Sequence, residues 1–209
     1  KWRWVVTALC WLFILVMMVT PVTIIVLGTF MKLFGFFNIP APFTINHWVT
    51  AFRDNVLLLS FRNTILLAVG AGVIGMFAYT LISYLVVKTH FRGRAFLDFV
   101  SWVPWALPGI LLGLGLLWLF LGNPVLSVLY GTLYGLILAM IIKEMPVGIQ
   151  MTKAGLMQIG KELEEAALIS GASWLVTFRK IITPLLLPCM LNVALIVSIV
   201  SIRDVGLVI

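Results

Sequence analysis

Residues 63–87, NTILLAVGAGVIGMFAYTLISYLVV, run from Arg62 to Lys88 without a charge. A helix needs about 20 apolar residues to cross the hydrocarbon core of a bilayer, so this stretch reads as a membrane span. Working outward, charge is likewise missing between Arg3 and Lys32 and between Arg179 and Arg203, one helix each. The interval from Asp98 to Lys143 holds two helices, with Gly122-Asn123-Pro124 as the turn between them. The fold class is therefore all-α, a polytopic membrane helical bundle. Its spans fall at about 4–31, 63–87, 99–121, 125–142 and 181–202.

Composition agrees. Of the 209 residues 63% are hydrophobic and 10% charged, with a mean hydropathy of +1.18, outside the range of soluble domains. With the N-terminus inside, ten basic residues fall on the inner side (Lys1, Arg3, Lys88, Arg92, Arg94, Lys143, Lys153, Lys161, Arg179 and Lys180). Four fall outside: Lys32, Arg53, Arg62 and Arg203. Cytoplasmic segments hold such an excess, so the net charge of +7 is a topology signal and no nucleic acid is expected as a partner. An odd number of spans predicts a sixth after Ile209, and the first residue predicts further chain before Lys1.

Cys10 and Cys189 fall in apolar stretches, where a thiol serves as a small hydrophobe, and no metal set is expected. The outer segment 33–61 carries a solitary His47, which reads as a surface histidine. The inner segment 143–180 is richer. Pro146 suits the first turn of an amphipathic helix over VGIQMTKAGLMQI, and Gly160 interrupts it. A short helix follows, opening on Glu162, Glu164 and Glu165, where the helix dipole favours anions. Gly171 ends it and Ser173 is placed to cap the next.

GLMQIGKE, residues 155–162, has the glycine and lysine spacing of a phosphate-binding loop. It lacks a preceding strand and the Ser or Thr that would hold magnesium, and Glu162 would repel phosphate. Nucleotide binding by this chain is not expected.

The same region is similar to the EAA signature of ABC importer permeases: Glu165-Ala166-Ala167, then Gly171, Ile181 and Thr183-Pro184 at matching intervals. Thr183 departs from the usual Leu-Pro ending. NTILLAVGAG from Asn63, KTHFRGRAFLD, VPWALPGILLGLGLLW from Val103 and LYGTLYGLILAMI from Leu129 follow in the order this family shows. The resemblance implies that Lys161 to Ser170 is a coupling helix seated on a separate ATPase subunit. Glu162, Glu164 and Glu165 would then pair with that partner, Ala166 and Ala167 would permit close approach, and Gly171 would turn the chain. It further implies two ABC ATPase subunits that bind the ATP and magnesium, with no cofactor in this chain. A second permease domain and a periplasmic or lipid-anchored substrate-binding protein complete the assembly, in surrounding lipid, in a bacterial inner membrane. The chain itself would not be an enzyme.

SIRDVG, from Ser201, looks like a stretch of ferric iron permeases, to which thiamine, phosphonate and polyamine permeases are also similar. Arg203 and Asp204 read either as an interfacial pair or as residues facing the translocation pathway. In the membrane, Gly109 and Gly113, with Gly70 and Gly75, have the spacing of close helix packing, and Pro104 and Pro108 predict a break near the start of the third span. A secondary transporter or channel driven by an ion gradient is the rival function, and calls for intramembrane acids.

Overall fold

The computed structural model describes residues 2–35 and 38–204. Lys1 of the charge tally, Val205 and Gly206 of SIRDVG and the expected sixth span lie outside the described residues. The chain divides into two compact units, Lys1–Phe61 and Arg62–Ile209.

In the first unit α1 (Trp2–Ile14) and α2 (Thr20–Thr29) form one continuous apolar helix through a π-helical turn, Leu15–Val19, and bury no residue. The chain then turns back with Met31 bridged to Phe43, and α3 (Asn46–Arg53) packs beside the turn. Trp48 Nε1 donates to Thr29 Oγ1 (3.2 Å), and the exposed His47 has its Nε2 3.1 Å from the Met31 carbonyl oxygen. The expected outer loop 33–61 is thus partly helical. It ends at Asp54, whose Oδ1 accepts from Val56 N (2.8 Å) and caps α4 (Asn55–Lys88), so the second helix starts eight residues earlier than predicted.

In the second unit α7 (Leu133–Met157) lies against α10 (Thr183–Arg203), and α4 joins them in one core through Leu67, Ala71 and Tyr79. Tyr79, Met140, Ile149, Val193 and Val197 form one buried cluster; Tyr84, Leu156, Ile182, Leu186 and Met190 form another. Lipid is as apolar as leucine, so small residues and polar groups must hold such helices together. Gly72 provides the α4–α10 crossing: a Cβ there would lie 2.6 Å from the Ala194 carbonyl oxygen. Beside it Ser198 Oγ donates to the Ala68 carbonyl (2.9 Å). Gly70 faces Ile137 on α7, whereas Gly75 lies against Tyr79 of its own helix. Gly148 makes room for the Tyr79 ring, and Ser83 Oγ donates to the Ile149 carbonyl (3.0 Å).

The bounds of the fourth helix differ from expectation. The fourth helix, placed at 125–142, is α7 at Leu133–Met157 and is continuous with the helix expected over VGIQMTKAGLMQI, so Lys143 is helical and Pro146 is buried mid-helix rather than in a first turn. Proline removes the amide that would bond the carbonyl four residues back, and one position earlier the Tyr79 hydroxyl donates to the Ile141 carbonyl (2.7 Å). The third helix is broken into α5 (Arg94–Ala106) and α6 (Gly109–Gly122), bent by 114° ahead of Pro108. The last span is the end of a 30-residue helix, in which α9 (Trp174–Thr177) passes through a π turn, Phe178–Ile182, into α10.

Both π turns lead into a Thr-Pro pair. Thr20 Oγ1 donates to the Leu15 carbonyl (3.1 Å) ahead of Pro21, and Thr183 Oγ1 to the Phe178 carbonyl (2.8 Å) ahead of Pro184. The wider turn relieves the proline ring's clash with the preceding turn, and the threonine hydroxyl supplies a donor to the loosened carbonyls. Thr183, the departure from the usual Leu-Pro, has this local use.

Candidate functional site

The segment that resembles a coupling helix is α8 (Lys161–Ile169), at the end of the bundle where α4 and α7 finish. Gly155, in the last turn of α7, packs against Cys189, whose Sγ would be 2.9 Å from an added Cβ. The glycine spacing of 155–162 thus belongs partly to a helix crossing. Gly160 occupies the N-cap position of α8 in extended backbone, and the Glu162 carboxylate folds back over it.

The three glutamates separate. Glu164 turns onto its own chain, its Oε1 2.7 Å from Lys88 Nζ, and Lys88 also donates to the Ile159 carbonyl (2.8 Å). Glu162 and Glu165 are exposed. The alanines separate too, Ala166 outward and Ala167 buried against the bundle. Leu168 and Ile169 complete an exposed apolar edge, Ile169 at 88%. Helix phase turns Glu164 and Ala167 inward and leaves Glu162, Glu165 and Ala166 on the outer side of α8.

At the C-terminus of α8 the Gly171 amide donates to the Leu168 carbonyl (3.0 Å) and the Ala172 amide to the Ala167 carbonyl (3.0 Å). This pair of bonds is a Schellman motif, and it holds Gly171 at φ +78°, a region glycine adopts without strain. Ser173 occupies the N-cap of α9, but its side chain makes no capping bond. Trp174 Nε1 then donates to the Tyr84 hydroxyl (2.8 Å); Trp174 and Phe178 stack, and Tyr84 meets both edge to face, with ring centroids 5.2–5.8 Å apart. Lys153 of α7 pairs with Asp98 of α5 (2.6 Å) near the same end.

Arg203 and Asp204 close α10 at a different level. Asp204 forms an ion pair with Lys143 on α7, and Glu144, next to Lys143, is buried on the same helix. Lys143, expected on the inner side, lies within α7 beside Asp204, and Glu144 is buried next to it, because a charge that finds a partner need not end a span. The signal was present in the stripe Ile137, Ile141, Glu144, Gly148, Thr152 and Leu156, a single helical face that is wholly buried. Among the described residues no group of three or more His, Cys, Asp or Glu gathers as a metal site requires.

The chain matches, over residues 80–208, the family described as binding-protein-dependent transport system inner membrane component. It is 35% identical over 142 residues to the putative ferric transport system permease protein FbpB 1 of Haemophilus influenzae, covering 68% of this chain and 22% of that protein. It is 36% identical over 120 residues to the ferric transport system permease protein FbpB of Actinobacillus pleuropneumoniae, covering 57% of this chain and 17% of that protein. It is 30% identical over 147 residues to the probable sulfate transport system permease protein cysT of Helicosporidium, covering 66% and 54%. The matched stretch is thus about a fifth of the ferric relatives and about half of the sulfate relative. Since the family match takes in α7, α8 and α10 with the whole of the EAA-like segment, the chain belongs to the family of binding-protein-dependent transport system inner membrane components.

Proposed function

We propose that this chain forms the permease of an ATP-driven importer, passing a small solute from a binding protein outside to the cytoplasm, with α8 as its contact with a separate ATPase. The observation that carries this reading is α8 itself. A nine-residue helix between two glycines exposes Glu162, Glu165, Leu168 and Ile169, a mixed acidic and apolar edge that suits a protein groove better than an anionic leaflet. Two ATPase subunits, a second permease domain and a substrate-binding protein are the partners this reading needs, and the excess of basic residues puts α8 and the N-terminus on the cytoplasmic side. Ferric iron is the first solute to test, given the two ferric relatives; the sulfate relative keeps oxyanions next.

The test is recovery of the ATPase with the affinity-purified permease from membranes expressing the whole transporter. ATPase is expected with the unaltered chain and about tenfold less with a Glu162→Lys, Glu165→Lys double variant, since charge reversal at a contact costs more than a kcal/mol. No ATPase with the unaltered chain, together with uptake that follows a proton or sodium gradient and ignores vanadate, would move the function to an ion-coupled transporter.

The translocation pathway is proposed to pass Arg203 and Asp204. Lys143 and Asp204 pair between α7 and α10, with Glu144 and Arg203 beside them in the same two helices, and ionisable groups at membrane depth tend to mark solute routes. Arg203→Ala is expected to lower uptake about tenfold with the complex intact on size exclusion; unaltered uptake would take Arg203 out of the pathway.

A further inference from the structure

We propose that Lys88 is the pivot through which α8 drives the bundle, a positioning residue that ties the contact helix to a span remote from it in sequence. The proposal rests on the reading of α8 as the ATPase contact. Movement of α8 reaches α7 and α9 through the adjoining chain; α4, more than 70 residues before it, is not an adjoining element. Lys88, the last residue of α4, makes that connection. Its Nζ reaches the Glu164 carboxylate at 2.7 Å and the Ile159 carbonyl at 2.8 Å, so one ammonium group joins the end of α4, the link between α7 and α8, and the first turn of α8.

The usual behaviour of a lysine at a span end is to extend toward headgroups and water. Lys88 does the opposite: its side chain is 4% exposed. Burying an ammonium group is costly unless its donors are met, and a buried ion pair contributes geometry more dependably than stability. One turn earlier, Tyr84 takes hold of the other flank of α8. It accepts from Trp174 Nε1 and packs against Trp174 and Phe178, beyond the Gly171 turn. The final turn of α4 therefore grips α8 before its start and after its end, and a displacement of α8 carries α4 with it. Because α4 crosses α10 at Gly72 with no spare space, that displacement continues into the bundle as a rigid-body movement.

The experiment uses the assembled transporter in proteoliposomes, measuring uptake and the stimulation of ATP hydrolysis by solute-loaded binding protein. Lys88→Met retains the ATPase on purification, yet uptake and stimulation fall together about tenfold, the size of effect a coupling residue has without touching either ligand. Lys88→Arg keeps most of the stimulation, and the exchanged pair Lys88→Glu with Glu164→Lys recovers more than either single change. A purely structural role would instead lower uptake only in proportion to the chain recovered from the membrane, and that result overturns the proposal. Should Lys88→Met not accumulate, Glu164→Gln removes the same ion pair at a half-buried site, and full stimulation there overturns it as well. Absence of the ATPase from the unaltered permease would defeat the underlying reading of α8, whereas retained ATPase with unchanged stimulation in both variants defeats the pivot alone.

Discussion

Gly171→Arg is expected to reduce uptake about tenfold while leaving the amount of permease in the membrane unchanged, because a side chain in the left-handed region costs about 1–2 kcal/mol and 1.4 kcal/mol is a factor of ten. An added Cβ meets nothing within 4 Å, so the penalty is conformational and not steric. The chain can relieve it by releasing the two bonds that close the Schellman motif, from the Gly171 and Ala172 amides, and this frees α8 from α9. The ATPase would then meet a helix in the wrong attitude. Asparagine tolerates the left-handed region better than other side chains, so Gly171→Asn should lose only a few-fold. Equal uptake by the Arg and Asn variants would show that the left-handed turn at Gly171 is not what positions α8.

The second large effect concerns stability. Gly72→Val is expected to prevent accumulation of folded chain, with a cost of about 3 kcal/mol or more, since overpacking at a backbone crossing cannot be relieved by a rotamer change. The added carbon would lie 2.6 Å from the Ala194 carbonyl oxygen and closer still to the Ser198 hydroxyl, and pushing α10 away would also break the bond from Ser198 to the Ala68 carbonyl. Gly115→Ala is the matched control: nothing lies within 4 Å, and alanine improves helix propensity by about 1 kcal/mol. Thermal unfolding in detergent compares the two. A Gly72→Val chain that melts with the unaltered protein would mean that α4 and α10 do not need their close approach.

Local chemistry was legible in the sequence; partnership across the bundle was not. Gly160 and Gly171 could be read as the limits of α8 because a cap and a left-handed turn depend on neighbouring residues alone. The break near Pro108 was legible for the same reason. Charge proved a poor marker of helix ends wherever it is paired. Lys143 meets Asp204 and Lys153 meets Asp98, so α7 continues through both lysines to Met157. Asp54-Asn55 carried a capping signal that the uncharged-window criterion passed over, since Arg62 seemed to close the window from outside. The inward turn of Glu164 depends on Lys88, and a single sequence holds no trace of a contact between residues so far apart.

The corner between α5 and α6 has a consequence for the direction in which the chain is threaded. Asp98, near the start of α5, reaches Lys153 near the end of α7, while Phe120, near the end of α6, lies by Gly135 at the start of α7. The bent pair thus travels the full height of the unit opposite to α7. A re-entrant hairpin would hand the chain back to the face it came from, and α7 would then have to run against α4. Instead the two run alongside one another, Gly70 beside Ile137 at one end and Lys88 beside Ile159 at the other. Two short helices of 13 and 14 residues, each about 20 Å long and bent by 114° to one another, carry the chain from beside the end of α7 to beside its start. The elbow spends straightness and keeps parity, so α4, the bent pair, α7 and α10 alternate in direction and α8 stays on the face where α4 ends.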